Sequence, residues 1–98
     1  MPYAIITFDK PDALSIRVAT RDEHVAYLKA NQHRLIAAGG LIEDDGTGGL
    51  GSILLVDTDD RADAEQFAAD DPFTKAGLFK KTLVMRWRKA FFDGECLI

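Results

Sequence analysis

Two short segments, Tyr3–Phe8 and Ser52–Val56, are apolar at alternate positions and again at the positions between them. Tyr3 and Ile5 are matched by Ala4, Ile6 and Phe8, and Leu54 and Val56 by Ile53 and Leu55. Successive side chains of a strand point to opposite faces of its sheet. Segments of this kind are therefore central strands that need cover on both faces. The chain predicts only two helices, which can cover one face. The other face is then expected to lie against the sheet of a second copy, giving a homodimer.

The remaining segments complete the order. Tyr3–Phe8 contains β-branched Ile5, Ile6 and Thr7 and stops at Asp9-Lys10-Pro11-Asp12, as a strand does. Asp12–Val18 reads equally as a helical turn or a loop. Thr20-Arg21-Asp22-Glu23 spells a capping box, in which Thr20 and Glu23 satisfy each other's backbone amides. His24, Leu28, Asn31 and Leu35 follow at helical spacing, and Gly39-Gly40 is a stop signal. A first helix is expected from about Arg21 to Ala38, with His24 in or just after its first turn.

Leu41-Ile42 reads as a short second strand, Gly46–Gly51 as a hairpin loop and Ser52–Val56 as the third strand. Thr58 or Asp59 is placed to cap a second helix, Asp60–Asp70, which buries Ala64, Phe67 and Ala68. Asp71 precedes Pro72 and so leaves helical geometry. Phe73–Leu78 is a short turn or helix. Thr82–Phe92 is the last strand, with Leu83, Met85 and Trp87 on one face and Val84, Arg86 and Arg88 on the other. The order βαββαβ predicts one α+β domain over residues 1–98, a ferredoxin-like four-stranded antiparallel sheet with two helices on one face.

Composition narrows the function classes. At 98 residues the chain buries only roughly 60–65% of its unfolded surface, so a second copy adds useful burial. Twelve basic and sixteen acidic residues give a net charge of −4, which argues against nucleic-acid binding. No run approaches the ~18 apolar residues of a membrane span, and no membrane role is expected. The single cysteine, Cys96, allows no intrachain disulfide. A reducing cytoplasm is the expected location.

Several residues carry chemistry. Gly46-Thr47-Gly48-Gly49-Leu50-Gly51 spells G-x-G-x-x-G, but a strand follows it where a dinucleotide site needs a helix. His24 reads as a core-edge histidine bonded to a carbonyl, as a metal ligand, or as a general acid or base. The metal reading is weak because His33, the only other histidine, falls on the opposite side of the helix. A helix N-terminus would disfavour a charged imidazolium and a carboxylate would favour it. Asp71 is placed to cap the turn that begins Pro72-Phe73, and its second oxygen is free to orient a histidine. Ser52 reads as incidental or as positioning a ligand's polar group, and Arg21 as a solvated helix-start residue in preference to an anion clamp.

Taken together, these residues resemble the YciI-like (YCII-related) family. The matching landmarks are Arg21-x-x-His24-x-x-Tyr27-Leu28, Gly39-Gly40, the glycine-rich stretch into Gly51-Ser52, Asp70-Asp71-Pro72-Phe73…Ala76-Gly77-Leu78, and a closing strand with Trp87. The resemblance implies a ferredoxin-like fold dimerised through its sheets as an α+β barrel, and a His–Asp active site carried by His24 and Asp71. Arg21, Ser52 and Phe73 are then candidates for contact with substrate, and no metal or cofactor is expected.

The implied activity is general acid–base chemistry of lyase or isomerase type on a small cyclic or aromatic metabolite, such as dehydrochlorination or lactone isomerisation. A non-catalytic small-molecule-binding or accessory dimeric domain is the alternative.

Overall fold

The two doubly apolar segments lie side by side in the centre of the sheet. In a computed structural model describing residues 1–98, β1 (Tyr3–Asp9) pairs antiparallel with β3 (Gly51–Val56) on one side and β4 (Phe79–Arg86) on the other. β2 (Leu35–Leu41) closes the far edge against β3. The resulting order, β2-β3-β1-β4, is that of a four-stranded antiparallel ferredoxin-like sheet. Helices α1 (Leu14–Ala30), α2 (Arg61–Asp70) and the single turn α3 (Pro72–Lys75) complete the α+β fold.

Tyr3, Ile5 and Thr7 share a face with Ser52, Leu54 and Val56, since they stand opposite one another in the register. On this face Ile5, Leu54, Val56, Phe67 and Ala68 form the main core, sealed by Tyr27, Leu28, Leu35 and Val84. A second cluster of Ala13, Phe73 and Leu78 fills the end where α1 begins. Phe67 and Phe73 are each 1% exposed, and full burial of such a side chain contributes about 1.5–3 kcal/mol. The opposite face bears Ala4, Ile6, Ile53, Leu55, Leu83 and Met85. No helix covers it, and Ile53 and Met85 are exposed.

Four elements, α1, β2, β4 and the cap of α2, depart from the sequence reading. The first helix starts at Leu14, well before the capping box, and ends at Ala30, not Ala38. Thr20 therefore lies mid-helix and caps nothing, while Ala13 holds the N-cap position without a side-chain bond. Tertiary packing overrides the local signal here: buried Ala13 and inward-facing Ile16 anchor the segment on Phe73 and Leu78. At 17 residues α1 is about 25 Å long, close to the length of a seven-residue strand such as β1 or β2.

Beyond Ala30 the helix would overrun the sheet. Asn31 ends it, its amide nitrogen donating to the Tyr27 carbonyl (2.9 Å). A 3₁₀ turn, Gln32–Arg34, then delivers Leu35–Leu41 to the sheet edge. Gly39-Gly40 is thus part of a strand and not a helix stop, and the second strand is far longer than Leu41-Ile42.

β4 is displaced in the opposite sense. It spans Phe79–Arg86, because Tyr3↔Arg86 is the last pair that β1 can offer. The chain beyond forms its own hairpin, β5 (Phe91–Phe92) with β6 (Glu95–Cys96). Asp93 and Gly94 make its turn with positive φ of 53° and 74°, the backbone that a two-residue Asp-Gly hairpin turn requires. Finally, α2 is capped by Asp60, whose carboxylate accepts from the Ala62 amide at 2.9 Å, and not by Thr58 or Asp59.

Candidate functional site

Asp71 sits where α2 ends and α3 begins, with the extended backbone (φ −61°, ψ 127°) that a residue before proline prefers. Its Oδ1 accepts from the Phe73 amide at 2.9 Å, with Pro72 in the first turn. The same oxygen lies 2.7 Å from Nδ1 of His24. One oxygen thus serves both partners, where the sequence reading assigned the histidine to the second. Both residues are buried, at 2% and 9% exposure.

His24 stands in the middle of α1, not in its first turn, so the helix dipole does not act on it as expected. Its ring stacks on Phe73 (centroids 4.0 Å apart, planes at 15°). Stacking and the Asp71 bond together fix the imidazole. With Nδ1 engaged, a neutral imidazole carries its proton there and presents the Nε2 lone pair. Nε2 has no protein partner and is not sealed off, and His24 lines a cleft of about 640 Å³.

Arg17, Arg21, His24 and Leu28 form one stripe of α1 along this cleft, opposite Gly39-Gly40, Ser52 and Leu54. Phe73 also lines it, so Arg21, Ser52 and Phe73 all border the same space as His24. Asp71 stands behind the histidine, outside the lining. Ser52 is no free strand-start hydroxyl. It is buried, with its Oγ 2.7 Å from Thr7 Oγ1 on the adjacent strand. Such a pair can turn either a donor or an acceptor towards a ligand.

Arg17 lines the cleft, Asp9 stands behind it and Thr7 is bonded to Ser52, and none of these three was picked out as a site residue from sequence. Arg17 donates through Nε and Nη2 to the two Asp9 carboxylate oxygens at 2.7 and 2.9 Å, and its guanidinium lies 4.8 Å from the Phe73 ring centroid. The pair is largely buried, so removing one partner alone costs on the order of 3–5 kcal/mol. Once α1 is seen to start at Leu14, the seven-residue spacing from Arg17 to His24 places them on one face. No local signal marks Asp9.

The Tyr27 hydroxyl donates to the Phe67 carbonyl at 2.9 Å. Burial, with the Asp70 and Asp71 carboxylates nearby, pushes its phenol up to about 12. The neutral phenol is favoured by folding, so its contribution is complete below the ordinary value of 10.0 and lost as pH rises through about 12. Alkaline unfolding of Tyr27→Phe is therefore expected to lose part of its pH dependence in that window, measured by circular dichroism.

No group of three or more His, Cys, Asp or Glu side chains is arranged to hold a metal ion, and no helix is long and apolar enough to cross a membrane. The glycine-rich stretch runs into β3 and not into a helix, so it lacks the context of a dinucleotide loop.

The model of the YCII-related domain matches residues 1–88. The chain belongs to the YCII-related family. Among similar proteins, an uncharacterised protein of Haemophilus influenzae is 34% identical, across 93% of this chain and 100% of its own length. Protein YciI of Escherichia coli is 31% identical with the same coverage. A solved YCII-like structure has a TM-score of 0.82 at 33% identity, covering 90% of this chain and 94% of its own. It is the 5-chloro-2-hydroxyhydroquinone dehydrochlorinase TftG of Burkholderia phenoliruptrix, in complex with 2,5-dihydroxybenzoquinone. The ferredoxin-like fold expected from sequence is thus the fold of this chain and of an enzyme similar to it.

The Asp71 geometry carries its own expectation. In Asp71→Asn the oxygen can still cap Phe73, whereas Asp71→Ala loses the cap as well. The alanine variant is expected to be about 1–2 kcal/mol less stable than the asparagine variant, by urea denaturation. Nitrogen-15 NMR of the neutral ring should show His24 as the Nδ1–H tautomer in the wild type and as a mixture in Asp71→Asn.

Proposed function

We propose that this YCII-related protein is a small enzyme that moves a proton on a cyclic or aromatic metabolite without a cofactor. His24 Nε2 is the acid–base atom. Asp71 holds the imidazole in one orientation and stabilises the imidazolium when it forms. Arg21, Ser52 and Phe73 bind and orient the substrate. The observation that carries this reading is the 2.7 Å His24–Asp71 contact, with the opposite ring nitrogen unpaired at a cleft.

Elimination or isomerisation suits a single acid–base group: the first needs a proton removed beside a carbon from which chloride leaves with its bonding pair, the second a proton removed at one atom and returned at another. The dehydrochlorinase activity of a similar protein makes chlorinated hydroxyaromatics the first compounds to try. The deciding measurement is turnover across a panel of chlorinated hydroxyquinols and unsaturated lactones, for wild type and Asp71→Asn. Turnover of one panel member, reduced at least tenfold in Asp71→Asn, is the expected result. Ligand-induced melting shifts without turnover would favour the non-catalytic binding domain.

We also propose that the uncovered sheet face pairs with that of a second copy, because Ile53 and Met85 are exposed at its centre and edge. Light scattering at micromolar concentration should give twice the chain mass, and Ile53→Lys should give the monomer. A wild-type monomer under those conditions overturns the dimer.

A further inference from the structure

The permanently charged groups bordering the cleft, Arg17 and Arg21, are both cationic. Arg17, Arg21 and His24 line it, and no Asp or Glu does, although acidic residues outnumber basic ones in the chain. The two acids of the site lie behind the bases: Asp9 is occupied by Arg17, and Asp71 by His24 and the Phe73 amide. The guanidinium of Arg17 has five N–H donors. Nε–H and one Nη2–H go to Asp9, and Nη2 is also 3.4 Å from the Gly51 carbonyl. Nη1 has no protein partner and is not buried away from the cleft.

We propose that Arg17 is a ligand-binding residue and that its Nη1 receives an ionised ring oxygen, an enolate or phenolate, of the molecule on which His24 acts. The proposal rests on the reading of this cleft as the substrate site and adds the charge state of what it takes. Asp9 makes the fork rigid, so little side-chain freedom is lost when the ligand arrives. Phe73 gathers both poles, since the Arg17 guanidinium and the His24 ring rest against it at 4.8 and 4.0 Å.

A flat ring bearing an oxygen can therefore meet a fixed cation and a fixed imidazole at once. Arg21, which has no carboxylate partner, leaves the lining with net positive charge. Gly40 stands opposite Ser52 and leaves that wall without a side chain, so a ring can approach the backbone. When a carbon beside a ring carbonyl loses its proton, the carbon–hydrogen pair becomes the new ring double bond and the carbonyl pair moves onto oxygen, giving the enolate oxygen to which Nη1 donates. The proton passes to His24 Nε2, and no oxidant or reductant is required.

The test is binding of 2,5-dihydroxybenzoquinone, which ionises in neutral water, against its dimethoxy analogue, which cannot. Binding is followed by calorimetry with wild type, Arg17→Lys and the charge-neutral double variant Asp9→Asn/Arg17→Gln. The double variant avoids a stranded buried carboxylate, and a melting curve confirms that it folds. Wild type should prefer the ionised compound. The double variant should bind it roughly 10- to 100-fold more weakly while the dimethoxy compound changes less than threefold. Arg17→Lys, which keeps the charge and loses the fork, should fall between.

Equal weakening for both compounds would mean that Arg17 only supports the fold, and unchanged affinity for the ionised one would remove it from the site. Failure of the wild type to bind either compound also overturns the proposal. Because the readout is binding without reaction, a chain that turns nothing over still reports on Arg17. Loss of charge selectivity, conversely, leaves the His24 reading standing.

Discussion

Turnover by His24→Asn is expected to fall roughly 10²–10⁴-fold below wild type, the usual range for removing a general acid or base. Asparagine is chosen because its amide nitrogen takes the place of Nδ1 and can still donate to Asp71, while nothing replaces Nε2. The variant therefore removes the atom that faces the cleft and keeps the bond that faces the core. It does lose the stack on Phe73, a contact of about 0.5–1.5 kcal/mol. That cost should lower the melting temperature by several degrees and leave the chain folded at 25 °C. The measurement is kcat for a compound that wild type converts, with a melting curve for each protein. A variant that keeps full turnover excludes His24 as the proton carrier.

A large effect on stability is also expected from Gly51→Ala. A Cβ built on Gly51 would lie 1.9 Å from the Thr7 carbonyl oxygen and 2.9 Å from its carbon. Both are backbone atoms of β1, which is hydrogen-bonded to strands on both sides, so β1 cannot move aside alone. The φ of +158° at Gly51 adds strain for any other residue. A loss on the order of 2–4 kcal/mol is expected, a large part of the 5–15 kcal/mol available to a typical domain. Gly40→Ala is the control. Its Cβ would lie 3.9 Å from the Gly51 carbonyl oxygen, an ordinary contact, and its stability should change by less than about 0.5 kcal/mol. Urea midpoints at an unchanged slope would measure both.

What could be read from the chain was whatever depends on near neighbours. The central strands declared themselves because two-sided apolar patterning has one structural meaning. Asp71-Pro72 declared a cap because the proline constrains the residue before it and suits the first helical turn. The helix limits were obscured by signals that are locally sound. Thr20 and Glu23 have capping-box spacing, and Leu35–Ala38 would continue a helix as readily as it forms a strand. Only the length of the sheet and the need for an edge beside β3 decide between them.

The site was legible to a similar degree. His24 and Asp71 could be named from their types and from the resemblance. The Arg17–Asp9 pair could not, because it depends on where α1 starts and on how β1 ends beside it. Thr7 and Ser52 meet only through strand register, which no local pattern supplies.

A single oxygen of Asp71 holds both the turn into α3 and the imidazole of His24. Architecture and chemistry therefore make the same demand on this position. Across relatives, an aspartate here would survive the loss of activity, because the turn continues to need it. His24 has no such second employment, and a lineage that abandons the reaction is free to change it. The histidine, and not the aspartate, is the position by which active and inactive members of the family should be sorted.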